Sequence, residues 1–283
     1  MKGAPSEEIA SLFERARQFE SIGDIYNAVK LYKRIAKIAP EWLPPFIQLT
    51  GIYKARQEWK AALHFAKKVV ALDPALQDGW WDLGIAAAAT GKERLAKMVW
   101  QKFGEKTLRN TAVSLRLQHS GIFELVGAQV LDPVRAVITS IPHPDSGRRF
   151  RDLVLFDRQV TGIQVVNRRK LPVYNELGLL KSAHYLTFTC VLSNAGPEDI
   201  QLLENLCLEA DLGFEIWSNA AWAKTVVPQK GRIPEFYSNP VPANAAGEKT
   251  WAAIASRRLQ PVRAVLKAWK VITLKEYSEL EQW

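Results

Sequence analysis

The chain has 283 residues, 48% of them hydrophobic and 24% charged, with a net charge of +9. This length accommodates two or three domains with cores of their own, and the composition is that of an ordinary globular protein. No run approaches 18 apolar residues, which excludes a membrane-spanning helix, and the two cysteines exclude a disulfide framework or a zinc ribbon.

The start, MKGAPSEEIASLFERARQFE, carries charges where a signal peptide needs an apolar stretch, so the cytoplasm is the expected compartment. The positive excess is spread out, +6 over residues 1–110 and +3 over residues 111–283, with no basic tail. A diffuse excess acts on solubility and on weak attraction to polyanions.

In chain order, Ser6 is an N-cap candidate with Glu7 and Glu8 in the first helical turn, where negative charge suits the helix dipole. Ile9, Leu12, Phe13, Ala16 and Phe19 follow at helical spacing. Gly23-Asp24 reads as a turn, and Ile25, Ala28, Val29, Tyr32, Ile35 and Ala36 mark a second helix ended by Pro40. The layout repeats with Phe46, Leu49 and Tyr53, then Ala62, Leu63, Ala66, Val69 and Val70, closed by Pro74; Gln57-Glu58 stands where the glycine turn was. A third pair spans Asp78–Gly104, in which Trp80, Leu83 and Gly84 give W-x2-L-G and Gly91 breaks the apolar run. Pro40 and Pro74 lie 34 residues apart, and Ala28, Ala62 and Ala96 keep the same spacing. Self-similarity at this period marks a stacked helical repeat.

Over residues 7–106 this order of residues resembles the tetratricopeptide repeat (TPR). The third unit matches best; the first has Leu12 at the Trp80 position and the second has Thr50 at the Gly84 position. The resemblance implies a three-unit solenoid whose first helices line a concave, ligand-binding face. It places Phe13, Ile47 and Trp81 there, then Arg17, Gly51 and Ile85, then Glu20, Lys54 and Ala88. An apolar ladder flanked by Arg17 and Lys54 would suit a peptide with hydrophobic anchors and an acidic group. The sequence leaves open whether this groove is free or covered by the chain itself.

After Gly104 the texture changes. Val113, Leu115 and Leu117 alternate with polar residues, and short β-like runs follow at Gly121–Leu131, Val134–Ile141, Asp152–Phe156, Gly162–Asn167 and Leu171–Tyr174. They predict a small antiparallel sheet or barrel over residues 107–182. Residues 183–283 read as an α+β domain: a strand at Tyr185–Leu192, a helix from Pro197, a strand at Phe214–Trp217, a strand at Trp251–Ser256, a helix at Pro261–Lys270 and a strand at Val271–Tyr277. Two βαβ units are compatible with a ferredoxin-like sandwich. The expected fold class is thus multi-domain, an α solenoid over residues 1–106 followed by two β-containing parts.

Two basic clusters, Arg148, Arg149 and Arg151, and Arg168, Arg169 and Lys170, sit at turns of the small sheet and could meet as one anion- or phosphate-binding patch. The alternative is ordinary solvated turns. The proline-rich segment 226–249 reads as a long loop in which Phe236 and Tyr237 either anchor a partner or pack on their own domain. His64, His119, His143 and His184 fall in four different elements, with no metal-ligand spacing. His143, Asp145 and Ser146 list a Ser/His/Asp set, but residues this close in sequence rarely form triad geometry. Cys190 and Cys207 read as core residues. No catalytic constellation, metal or cofactor is expected. The function expected is a non-enzymatic protein–protein interaction, as an adaptor, co-chaperone or neutralising, immunity-type partner. The alternative is an RNA- or ribosome-associated factor that uses the arginine clusters.

Overall fold

The computed structural model describes residues 6–102, 110–119, 122–166, 168–217, 221–224, 233–237 and 249–283. The chain divides into two compact units, residues 1–106 and 107–283.

In the first unit the helices form three consecutive pairs: α1 (Glu7–Ser21) with α2 (Ile25–Ile38), α3 (Pro44–Ala55) with α4 (Trp59–Leu72), and α5 (Gln77–Ala89) with α6 (Glu93–Lys102). Ser6 caps α1 as the sequence announces, and Asp24, which reads there only as a turn residue, caps α2. Ser6 Oγ accepts from the Ile9 amide at 3.4 Å, and the Asp24 carboxylate accepts from the Asn27 amide at 3.1 Å. Each satisfies a backbone donor that the helix itself leaves free. Gly23 and Gly91 turn the first and third pairs at φ +81° and +69°; Gln57 takes the same left-handed conformation in the second, at φ +57°, without glycine's freedom. Ala28, Ala62 and Ala96 are 0%, 1% and 4% exposed, so the 34-residue register marks where helices approach most closely. At Gly84 that approach is absolute, because a Cβ would overlap the Trp100 ring from α6.

The second unit opens with β1 (Ala112–His119), β2 (Ile122–Asp132), β3 (Arg135–Ile138), β4 (Leu153–Val166) and β5 (Arg169–Lys181). Consecutive strands pair antiparallel, and β5 returns to pair parallel with β1 through Val173–Asn175 against Ser114–Arg116. The pairings therefore close into a ring. Its interior holds the inward halves of the alternating strands: Val113, Leu115, Leu117, Val126, Ala128, Ile138 and Phe156. The two short runs expected at Asp152–Phe156 and Gly162–Asn167 are one strand up to Val166; Asn167 lies outside the described residues. The polar stretch between them, which reads as a turn, is taken up by register shifts between Phe156 and Gly162.

The chain then passes to a second sheet with β6 (Leu186–Ser193), α7 (Pro197–Glu209) and β7 (Gly213–Ile216). It returns to the first sheet for β8 (Ala221–Lys224), which pairs with β2, and β9 (Glu235–Tyr237), which pairs parallel with β4. It ends in the second sheet with β10 (Lys249–Ser256), α8 (Leu259–Thr273) and β11 (Glu276–Gln282). The first sheet is thus completed by strands from beyond residue 182. The proline-rich stretch expected as a loop contributes one of them. The final strand begins later than expected because α8 runs on to Thr273 and stops at Leu274, in the left-handed conformation at φ +56°.

The second sheet has the order β11-β6-β10-β7, antiparallel throughout. On one face Phe188, Cys190, Leu192, Ala252 and Ile254 meet α7 and α8 through Leu203, Cys207, Val262, Leu266 and Trp269. On the other, Ala253, Ala255 and Tyr185 meet Ile141 and Phe150 from the connection between β3 and β4. Phe150 can lie this close because Gly213 has no side chain; a Cβ there would stand 3.1 Å from the ring.

Candidate functional site

The expected concave face of the solenoid is only partly open. Phe13 is half-buried between Tyr32 and Trp42, with ring centroids 5.4 and 4.9 Å away. Arg17 is exposed and pairs loosely with Glu14 at 3.5 Å. Ile47 is 38% exposed, and next to it in the second unit Gly51 faces open space. Lys54 is engaged instead, at 2.9 Å from Asp82 of α5. In the third unit the expectation fails outright. Trp81 and Ile85 are 6% and 0% exposed. Gly84 lets Trp100 reach through to the Trp81 ring, 5.0 Å between centroids, so this tryptophan is a packing residue. Its neighbour Trp80 is only half-buried: Nε1 donates to the Pro74 carbonyl at 2.9 Å and the Lys102 ammonium stands 3.8 Å from the ring centroid. Glu20 accepts from the Tyr32 hydroxyl at 2.8 Å, and Ala88 is buried.

The two basic clusters do not meet. They lie at opposite ends of the β4–β5 ladder, where Leu153 pairs with Lys181 at one end and Val166 with Arg169 at the other. A strand of this length separates them by roughly 40 Å at the usual rise per residue. Arg148 donates to Glu176 through Nε at 2.9 Å, in a pair that is largely buried. Burial holds the Glu176 carboxyl above its ordinary range, and the neighbouring guanidinium offsets only part of that shift. Arg149 donates to the carbonyls of Pro144 and Arg148, which ties its own loop. Arg151 pairs with Asp211 at 2.6 Å and donates to the Tyr185 hydroxyl at 3.1 Å. At the other end Lys170 bonds Glu235 of β9 at 2.8 Å, while Arg168 and Arg169 are exposed on the hairpin tip.

Phe236 is not a free anchor. It lies against Gly162, where a Cβ would overlap its ring, and edge-on to Phe123 with centroids 5.4 Å apart. The backbone of Tyr237 pairs with Val165; its side chain falls outside the described residues.

The connection from β3 to β4 is held by two carboxylates that the sequence does not single out. Both oxygens of Glu124, on β2, accept from the His143 amide at 3.1 Å, and Glu215, on β7, accepts from the Ile141 amide at 2.6 Å. Trp217 Nε1 donates to the Ile141 carbonyl at 3.0 Å and its ring stacks on His143. Burial pushes the Glu124 carboxyl up to about 8, with a smaller contribution from the charge of Glu215. Burial pushes Glu215 up to about 7, opposed by the Ile141 hydrogen bond. Their signal was a glutamate at an inward position of an alternating strand, which periodicity alone treats as noise. Ser146 donates to the His143 carbonyl at 2.7 Å, and His143 Nδ1 accepts from the Asp145 amide at 3.2 Å, so neither group is set as a nucleophile–base pair. Burial pushes the thiols of Cys190 and Cys207 up to about 12, where they are protonated. Among the described residues no group of histidines, cysteines and carboxylates could hold a metal ion, and no helix is long and apolar enough to cross a membrane.

No family model matches the chain, and no curated protein does. Solved structures with tetratricopeptide repeats match about a third of it. A MamA crystal structure is 21% identical, with a TM-score of 0.33, over 35% of this chain and 54% of its own. The second TPR of Spaghetti (RPAP3), bound to the HSP90 peptide SRMEEVD, is 19% identical, with a TM-score of 0.31, over 34% of this chain and 88% of its own. The Sgt2 TPR domain from Aspergillus fumigatus is 23% identical, with a TM-score of 0.31, over 35% of this chain and 66% of its own. The chain thus spans about half the length of the MamA structure it matches. These likenesses concern the helical repeats, and none of them bears on what the chain binds.

Proposed function

We propose that the protein is a non-enzymatic binding protein whose helical unit engages another protein or peptide, as an adaptor would, through the first helices of its first two repeats. The observation that carries this reading is the accessible strip formed by Phe13, Arg17, Ile47 and Gly51. It offers a partly exposed aromatic, an exposed aliphatic, an open glycine floor and a guanidinium whose ion pair with Glu14 is long and solvent-exposed. Such a strip suits an extended segment with one apolar anchor and one acidic group. Trp81 and Ile85 are no part of it. In the second unit, the ring of strand pairings supports reading the first sheet as a small barrel. The β11-β6-β10-β7 order with two helices on one face supports reading the second as a ferredoxin-like split βαβ arrangement. Both are scaffolds of many functions and assign none by themselves.

The test uses immobilised full chain and its Ile47→Asp and Arg17→Glu variants, exposed to extract from the native source. A protein retained by the parent chain should bind each variant at least tenfold more weakly, with melting temperatures unchanged. Identical retention by all three chains would overturn the strip as the binding surface.

A further inference from the structure

Four basic side chains from separate segments of the second unit line one open cleft: Arg151 ahead of β4, Lys181 at the end of β5, His184 ahead of β6 and Arg257 between β10 and α8. Val137 and Leu153 give it an apolar wall, and its volume of about 530 Å³ is that of a small-molecule site. Only Arg151 belongs to a basic cluster singled out in the sequence; Lys181, His184 and Arg257 lie far from it along the chain.

The cleft is held in shape by buried groups. Asp152, 1% exposed, accepts from the Arg149 amide at 2.8 Å and from the Ala183 amide at 2.9 Å. It thereby clamps the turn that carries Arg151 to the segment that carries His184. Both of those residues are left-handed, at φ +62° and +57°, a conformation disfavoured for side-chain-bearing residues and found where surrounding structure enforces it. The Tyr185 ring, 5% exposed, has Cζ of Arg151 5.7 Å and Cζ of Arg257 5.2 Å from its centroid. Arg151 also donates to the Tyr185 hydroxyl at 3.1 Å, so this buried side chain helps to hold both guanidiniums in place.

Charge selects the ligand. Asp211 pairs with Arg151 at 2.6 Å and its charge also reaches Arg257, while Asp152 is engaged by two backbone amides. No carboxylate lines the cleft, and among the described residues Lys181 and Arg257 make no ion pair. Three permanent cations, Arg151, Lys181 and Arg257, set against the Asp211 carboxylate leave an excess of two positive charges, which matches a phosphate monoester carrying about −1.5 to −2 at neutral pH. A carboxylate would answer only one of them. No aromatic side chain lines the cleft, so it lacks the stacking platform of a single-strand nucleic-acid site. We propose that this cleft binds a small phosphate monoester, with the phosphate between Lys181 and Arg257, His184 beside it, and the organic part against Val137 and Leu153.

Calorimetric titration of the full chain with phenyl phosphate, benzoate and a single-stranded RNA decamer without terminal phosphates tests this. Phenyl phosphate should saturate one site, with benzoate at least tenfold weaker. Lys181→Ala and Arg257→Ala should each weaken phenyl phosphate at least tenfold, while Arg169→Ala, at the far end of the hairpin, should change nothing. Lys181 is exposed, so its variant should melt with the parent chain and separate loss of binding from loss of fold. The proposal is overturned by absence of saturable phenyl phosphate binding, by equal binding of benzoate, or by indifference to both cleft substitutions. Tighter, Lys181-dependent binding of the RNA would also overturn it and assign the cleft to a nucleic-acid backbone.

Discussion

Trp80 and Trp81 are adjacent in sequence and about 100° apart around the helix, so a helix cannot give them the same environment. The larger burial falls to Trp81, because Gly84 leaves room for Trp100 on that side. Trp81→Ala should therefore destabilise the chain by about 3–5 kcal/mol in urea unfolding, the usual cost of emptying a buried aromatic site. Trp80→Ala should cost less, since that ring is only half-buried, although the bond to Pro74 and the contact with Lys102 are lost with it. Equal costs would mean that the pair shares one environment. Gly84→Ala should cost about 1–3 kcal/mol, the range for overpacking, although alanine favours a helix. A neutral or stabilising result there would show that Trp100 can move aside.

At the scale of elements, β9 shows how a segment rich in proline becomes part of a sheet. It needs only three residues, pairs with β4 along one side, and places Phe236 over Gly162. The aromatic ring then joins Phe123, Leu125 and Val173 in a small cluster on that sheet. Phe236→Ala should lower stability by about 3 kcal/mol, near the lower end for phenylalanine because the ring is only partly buried. The same variant should make the chain easier to cut by protease close to residue 236, since that ring acts together with the β4 pairing and the Lys170–Glu235 bond to hold β9. Unchanged cleavage and an unchanged unfolding midpoint would show that β9 is held by its backbone hydrogen bonds alone.

In the second unit as a whole, Glu124 and Glu215 clasp the same connection from the two sheets, so their protonation affects how the sheets are joined. Burial holds both carboxyls above the ordinary 4.5, Glu124 at about 8 and Glu215 at about 7. Between those values and 4.5 the native chain keeps protons that the unfolded chain has released. The stability they contribute is complete below about pH 4.5 and is lost as pH rises through about 7 and then 8. Melting temperature should accordingly fall from about pH 5 to pH 8, and Glu124→Gln should flatten the fall, because glutamine is neutral throughout. A melting temperature that rises over this range, or a glutamine variant that falls as steeply as the parent, would show that other groups dominate.

What the sequence alone determined is local and periodic. Helix pairs, their caps, the alanine register and the alternating strands all depend on residues a few positions apart, so the three repeats and most strand positions could be read directly. Ala28, Ala62 and Ala96 show this, for a small residue at a fixed period is meaningful without knowing its partner. What only the tertiary structure decided is what each buried face meets. Periodicity marks Trp81 and Phe236 as apolar; whether each faces a ligand or its own chain depends on Trp100 and Gly162, reached only through folding. The arginine clusters failed as one site because a single long strand holds them apart. The cleft appeared because folding gathers Arg151, Lys181, His184 and Arg257, whose separation along the chain leaves no local pattern to read.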